Sequence, residues 1–194
     1  MNGIIPAPIA SLNWRIIGLL TAIPGFGAIV LYSAASGAFF PWSAPHMIRF
    51  TVFLTAAIIA GHLPLEFWKK VTIPAYLVIL VLLFMVELVG AVRGGSERWI
   101  NLGFINLQPS ELMKPAIVLT VAFYFDRLPA SRVRDWDAMA VPLGIMAVPV
   151  GLVMLQPDLG TSLAVLFGGV VVMFLAGTPM RYYIGAAIGA AMFI

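Results

Sequence analysis

The sequence predicts an all-α fold: a polytopic transmembrane helix bundle of about six complete spans and the start of a seventh. Three observations carry this reading. Of the 194 residues, 62% are hydrophobic and only 10% charged, where a soluble domain carries about a quarter charged residues. So few charges do not cover a water-facing surface. Apolar stretches of about 20 residues recur, the length a helix rising about 1.5 Å per residue needs to cross a hydrocarbon core of about 30 Å. Finally, Trp14, Trp42, Trp68, Trp99 and Trp136 all fall in loops or at the ends of those stretches. At that depth an indole keeps its ring apolar and its N–H wet, which marks them as interfacial anchors.

In order, the spans are expected near 16–36, 46–63, 71–91, 109–126, 138–155 and 160–177, with a partial one over 182–194. The last piece is too short to cross, so the protein is expected to continue beyond Ile194. The first stretch is read as an uncleaved span rather than a signal peptide. It exceeds the usual signal core of about 7–15 residues and lacks a strongly basic start. Lys and Arg in short loops set orientation. With the N-terminus in the cytoplasm, Arg15, Lys69, Lys70, Arg127, Arg132, Arg134 and Arg181 are inside, and Arg49, Arg93 and Arg98 outside.

Two loops differ in character. The outer loop Val92 to Leu107 holds Arg93, Glu97 and Arg98. Its second half, Trp99 to Leu107, mixes apolar and amide residues and is expected to lie in the interface plane as a short irregular or helical segment. The inner loop Asp126 to Asp137 reads as a plain solvated connection.

Gln108-Pro109-Ser110-Glu111 opens span four, and Gln156-Pro157-Asp158-Leu159-Gly160-Thr161 opens span six. Proline suits the first helical turn, where its missing N–H needs no partner. An acidic residue there faces the partial positive charge of the helix start. Helix starting alone accounts for both motifs. Their placement adds more, because two spans separate them and both starts then lie on the outer face with Arg93 and Arg98. Exposed N–H groups at two helix starts bind anions.

Lys114 lies about 8 Å past the start of span four at 1.5 Å per residue. A charge at mid-bilayer costs about 3 kcal/mol on insertion scales. Glu111, three residues earlier, shares its helix face. The bland reading is a self-satisfied Glu111–Lys114 pair. The functional reading is a polar cavity, open outward, that receives a charged lipid head group. Glu87 either joins that cavity or snorkels. His46 and His62 lie at span ends without a partner at metal-ligand spacing and are read as structural.

Other chemistries find no support. There is no cysteine, hence no disulfide or thiolate metal site. There is no phosphate-binding glycine loop, no Ser/His/Asp set and no zinc pattern. The net charge of +3 has no basic run with interleaved aromatics and is read as topology, not nucleic-acid binding. Gly168-Gly169, and Gly185 with Gly189, are small residues that let helices approach closely.

Gly95-Ser96-Glu97-Arg98-Trp99-Ile100-Asn101-Leu102-Gly103, Gln108 to Lys114, and Gln156 to Ser162 together resemble the signature segments of the SEDS (shape, elongation, division and sporulation) family, the RodA/FtsW/SpoVE group. Order and spacing fit over most of the chain, and the form of the third segment is more similar to the rod-shape branch. The resemblance implies ten spans with a cytoplasmic N-terminus in the bacterial cytoplasmic membrane, of which residues 1–194 form the N-terminal part of a single transmembrane domain. It implies a glycosyltransferase that polymerises lipid II (an undecaprenyl-pyrophosphate-linked disaccharide peptide) in cell wall synthesis. The partner is a class B penicillin-binding protein. The family's proposed catalytic aspartate lies in a large outer loop after span seven, so no catalytic base is assigned in this chain, and the fragment alone is expected to be inactive. By position, Arg98, Gln108, Glu111, Lys114, Gln156, Asp158 and Thr161 match the family's signature polar residues and are expected to shape the substrate groove. A divalent cation requirement stays open. Two rival readings are a lipid II flippase, which a polar intramembrane cavity also suits, and a non-catalytic membrane scaffold of the elongation or division machinery.

Overall fold

The computed structural model describes residues 12–89, 91–93, 96–101 and 106–192. These residues contain seven α-helices: α1 Trp14–Ala34, α2 Ser43–His62, α3 Leu65–Val89, α4 Pro109–Arg127, α5 Trp136–Leu155, α6 Leu159–Leu175 and α7 Met180–Ala191. Each overlaps one of the seven apolar stretches of the sequence. Three short strands, β1 Ala91–Arg93, β2 Ser96–Asn101 and β3 Asn106–Leu107, stand between α3 and α4.

Contacts divide the chain into two compact units, Met1–Pro64 and Leu65–Ile194. The first unit pairs α1 with α2. The Ser43 hydroxyl donates to the Ala28 carbonyl at 3.0 Å, and His46 Nε2 lies 3.2 Å from the Pro24 carbonyl. A Cβ at Gly27 would sit 3.3 Å from His46 Nε2, so the missing side chain is what admits the imidazole. No residue of α1 is buried. Its face toward α2 is half-buried and the rest is exposed and apolar, the surface a bilayer solvates, since lipid tails accept apolar side chains that water rejects.

The second unit is built on α4, which packs against α3, α5 and α6. Leu83, Met113, Ile117, Met146, Val153 and Val165 are buried between these four helices. Cross-contacts fix their directions. Lys69 near the start of α3 pairs with Asp126 near the end of α4 at 2.8 Å, so the two run antiparallel. The Tyr76 hydroxyl reaches the Ile145 carbonyl at 2.8 Å, and Gln156 Nε2 reaches the Leu83 carbonyl at 3.4 Å. Residue numbers rise together across these contacts, so α3 and α5 run in parallel. Alternation then returns α6 in the direction of α4. The helix starts at Pro109 and Leu159 therefore lie at the same end of the unit.

Among the described residues, four helices are long and apolar enough to cross a membrane: Trp14–Ala34, Ser43–His62, Leu65–Leu88 and Trp136–Leu155. The other two spans of the sequence map differ for physical reasons. Glu111, Lys114, Asp126 and Arg127 lower the apolar character of α4, and α6 has 17 residues. Their neighbours shield them from lipid: α4 buries seven residues and α6 four.

The outer loop corrects the sequence reading. Trp99 to Asn101 are the last residues of β2, and Asn106–Leu107 form β3; residues 102–105 lie outside the described set. β2 pairs antiparallel with β1, Ala91 opposite Trp99 and Arg93 opposite Ser96, and with β3, Ile100 opposite Leu107 and Asn101 opposite Asn106. Pairing on both edges satisfies backbone groups that a short isolated helix would leave open at its ends. The inner loop is also more than a plain connection. It carries a 3₁₀ turn over Ala130–Arg132, and Arg132 pairs with Asp135 at 3.6 Å and with Asp137.

Candidate functional site

The two helix starts are built differently. Gln108 precedes α4 in extended conformation with no side-chain cap, and its carbonyl accepts from the Glu111 N–H at 3.1 Å. Pro109 and Ser110 behind it are buried. At α6 the cap is complete. Asp158 Oδ1 accepts from the Thr161 N–H at 3.1 Å, and its Oδ2 accepts from the Thr161 hydroxyl at 2.9 Å. That carboxylate neutralises an orphan helix donor and sits where the helix dipole favours negative charge.

Lys114 Nζ contacts Glu111 at 2.8 Å to Oε1 and 2.7 Å to Oε2. The pair is half exposed rather than sealed, at 36% and 53% of the two side chains. Lys114 also lines an open groove of about 640 Å³ with Leu65, Trp68, Pro115, Val118, Leu119, Ala164 and Gly168. Apart from Lys114 and the Trp68 indole, these lining side chains are apolar. The geometry is thus a greasy furrow along α3, α4 and α6 with one cation on its wall, which Glu111 already pairs with. Such a furrow fits a hydrocarbon chain carrying an anionic group better than it fits a hydrophilic sugar alone.

Of the seven predicted site residues, Gln108, Glu111, Lys114, Gln156, Asp158 and Thr161 lie at or near the same end of the second unit. They do not converge on one point. Glu111 and Lys114 pair on α4, Asp158 and Thr161 pair on α6, and Gln156 is buried at 6% exposure with a contact to α3. Arg98 lies on β2, whose backbone leads through β3 to the start of α4. Glu87, near the end of α3, is exposed. His46 contacts the Pro24 carbonyl on α1, and His62 Nδ1 contacts the Ile58 carbonyl of its own helix at 2.7 Å. Among the described residues no group of three or more His, Asp or Glu side chains is placed to hold a metal ion.

The opposite end holds an ion pair that the sequence reading did not find, Lys69 with Asp126. The two residues are far apart in sequence, and nothing local links them. The signal for them was present in principle. Two antiparallel helices joined by a hairpin bring the start of one beside the end of the next.

Comparisons with known proteins agree with this architecture. The cell cycle protein family model FtsW/RodA/SpoVE matches residues 9–194. The peptidoglycan glycosyltransferase MrdB of Escherichia coli K12 is 31% identical over 178 residues, 91% of this chain and 47% of that protein. A probable peptidoglycan glycosyltransferase FtsW of Trichlorobacter lovleyi is 28% identical over 201 residues, 97% of this chain and 52% of that protein. The chain thus spans about half the length of these curated relatives. In fold, it is similar to a chain from a peptidoglycan synthase complex described as coordinating polymerization and crosslinking, with TM-score 0.82 and 32% identity over 94% of this chain and 53% of that one. It is also similar to the rod shape determining protein RodA of Thermus thermophilus, with TM-score 0.76 and 31% identity over 95% of this chain and 60% of that one. The helical order, the two Gln-Pro helix starts and a family match that covers nearly every residue lead to one assignment: the chain belongs to the FtsW/RodA/SpoVE family.

Proposed function

We propose that the protein is a peptidoglycan glycosyltransferase that polymerises lipid II at the outer face of the bacterial cytoplasmic membrane, of the rod-shape type, beside a class B penicillin-binding protein that supplies the crosslinking activity. Residues 1–194 form the N-terminal part of its single transmembrane domain, with the N-terminus in the cytoplasm. Family membership supports the reaction class. The observation that carries the site is the Lys114 ammonium near the start of α4, on the wall of an apolar groove that runs from there along α4 toward Leu65 and Trp68 at the start of α3.

In the reaction an acceptor sugar hydroxyl attacks the anomeric carbon of a lipid-linked donor. A glycosidic C–O bond forms, the bond from that carbon to the pyrophosphate oxygen breaks, and the hydroxyl proton passes to a general base. Undecaprenyl pyrophosphate departs with the bonding electrons. Lys114, Arg98 and the N–H groups at the helix starts suit the charge that builds on that pyrophosphate. Gln108 and Gln156 border the same helix starts and support the groove. Neither acid of the site is assigned as base. Asp158 is engaged by Thr161 through both oxygens, and Glu111 is held by Lys114. The base belongs to the large outer loop that the family places after its seventh span.

The test is polymerisation of purified lipid II by the full-length protein. Lys114→Met is expected to lower the rate by about 10²-fold, the scale of losing one preorganised charge-stabilising donor, while the melting temperature stays within a few degrees. Polymerisation at the wild-type rate by well-folded Lys114→Met protein would remove the groove from the site. Lipid II flipping in vesicles without glycan formation would favour the transporter reading instead.

A further inference from the structure

At the end opposite the helix starts, a crevice of about 320 Å³ opens between α3, α4 and α5. Ile73, Phe123, Leu128, Val141 and Ile145 line it with Thr120, Tyr124 and Arg127. Two of its three polar side chains are already satisfied. The Thr120 hydroxyl donates to the Ala116 carbonyl and the Tyr124 hydroxyl to the Ala138 carbonyl, each at 2.7 Å. Arg127 at its mouth is then the one polar side chain of the lining not engaged with a backbone carbonyl, and the depth of the crevice is apolar and poor in partners for water. Thr120 lies seven residues back from Arg127, so the crevice runs about 10 Å inward from the guanidinium at 1.5 Å per residue.

Arg127 is held at the crevice by its stacking on Phe123, with the guanidinium carbon 4.1 Å from the ring centroid. It makes no ion pair among the described residues, because the adjacent Asp126 is taken by Lys69. Lys70, one helical turn before Ile73 on α3, is exposed and also without a carboxylate partner among the described residues, as is Arg134 in the following loop. This end of the unit holds six cations (Lys69, Lys70, Arg127, Arg132, Arg134 and Arg181) against four carboxylates (Glu66, Asp126, Asp135 and Asp137). It therefore carries an excess of positive charge.

We infer that this crevice is a binding site for an anionic glycerophospholipid, with one acyl chain seated between α3, α4 and α5 and the phosphate on Arg127, reinforced by Lys70. An interhelical basic pocket at the membrane interface suits such a headgroup, and an apolar slot beside it suits its tail. Charge selects the occupant. A zwitterionic lipid brings its own cation into an environment already in cationic excess. Under the orientation set by Lys and Arg counts this end faces the cytoplasm, so the site is separate from the proposed polymerising face and does not depend on that activity.

The test is lipid retention by the full-length protein in detergent, read by native mass spectrometry after incubation with dioleoylphosphatidylglycerol, dioleoylphosphatidylcholine or glycerol phosphate. The wild type is expected to retain phosphatidylglycerol and neither of the other two. Arg127→Gln removes the charge and Val141→Trp fills the slot while keeping the charge. Arg127→Gln is expected to weaken retention by about fivefold or more, the worth of one cation against an anionic surface, Val141→Trp to weaken it by shutting out the acyl chain, and Arg127→Lys to restore most of what Arg127→Gln loses. Equal retention of both phospholipids overturns the proposal. So does undiminished phosphatidylglycerol retention in the Val141→Trp protein, which would reduce the site to surface charge, or retention of glycerol phosphate, which would make the tail irrelevant.

Discussion

Asp158 grips Thr161 with both carboxylate oxygens, one on the backbone N–H at 3.1 Å and the other on the hydroxyl at 2.9 Å. The cap fixes where α6 begins and so sets the height of Gly168 and Gly169 against their neighbours. Asp158→Ala should cost about 1–2 kcal/mol, the usual loss for a helix cap. Thr161→Val should cost less, about 1 kcal/mol for one hydrogen bond, and Thr161→Ser should be nearly silent. Thermal melting in detergent measures all three. Losses in the reverse order would show that the hydroxyl, not the cap, does the holding.

Gly169 supplies the second prediction. A Cβ there would fall 2.8 Å from Met146 Cγ and nearer still to its sulfur, and Met146 is fully buried. Gly169→Ala should therefore destabilise by about 1–3 kcal/mol through overpacking. The pair Gly169→Ala with Met146→Ala should cost less than the sum of the two single losses, since residues in contact are not additive. At Gly168 the nearest atom is Val118 Cγ2 at 3.2 Å, on a side chain that is itself partly exposed. Gly168→Ala should be milder. Equal costs at the two positions would refute this account of α4–α5–α6 packing.

How far the sequence reaches follows from the same contacts. Helix positions were legible because a bilayer demands long apolar runs, and it leaves composition few other ways to satisfy the backbone. The tryptophans were legible for a related reason: Trp14, Trp42 and Trp136 stand at or just before helix starts and are 54%, 60% and 65% exposed. The strand hairpin was not legible. β2 is six residues long, and its pairing with Ala91–Arg93 and Asn106–Leu107 is set by register rather than by local pattern. At the site, the Glu111–Lys114 pair followed from helical spacing alone. The contact from Gln156 to Leu83 and the ion pair from Lys69 to Asp126 depend on which helices become neighbours, which hydropathy does not encode.

Tyr76 ties α3 to α5 through its hydroxyl on the Ile145 carbonyl at 2.8 Å. Interhelical hydrogen bonds in a membrane protein average about 0.6 kcal/mol, with a maximum of about 1.7 kcal/mol. Tyr76→Phe keeps the ring and removes only that bond, so it should lower stability within this range and leave the proposed lipid II polymerisation of the full-length protein intact. Because Ile145 also borders the crevice, a loss well above the range would mean that the hydroxyl positions more than one neighbour.

Topology is the last and most general prediction, and the absence of cysteine from residues 1–194 makes this half of the protein simple to test once any cysteine elsewhere in the full-length protein is replaced. Single cysteines in the full-length protein report on each face through a membrane-impermeant maleimide applied to spheroplasts. Ser96→Cys on β2 and Leu159→Cys at the exposed start of α6 should label from outside, while Arg134→Cys in the loop between α4 and α5 should label only after lysis. The two outside positions lie on opposite sides of an α4–α5 excursion that leaves the outer face and returns to it. If Ser96→Cys and Leu159→Cys divided between the faces, α4 and α5 would not both cross. The groove beside Lys114 would then lose access to lipid-linked substrate from the outer leaflet. If all three assignments simply reversed, the bundle would stand, but Arg127 would face outward and Lys114 would meet the cytoplasmic leaflet. That outcome would exclude polymerisation outside the membrane while leaving the packing of α3 to α6 unchanged.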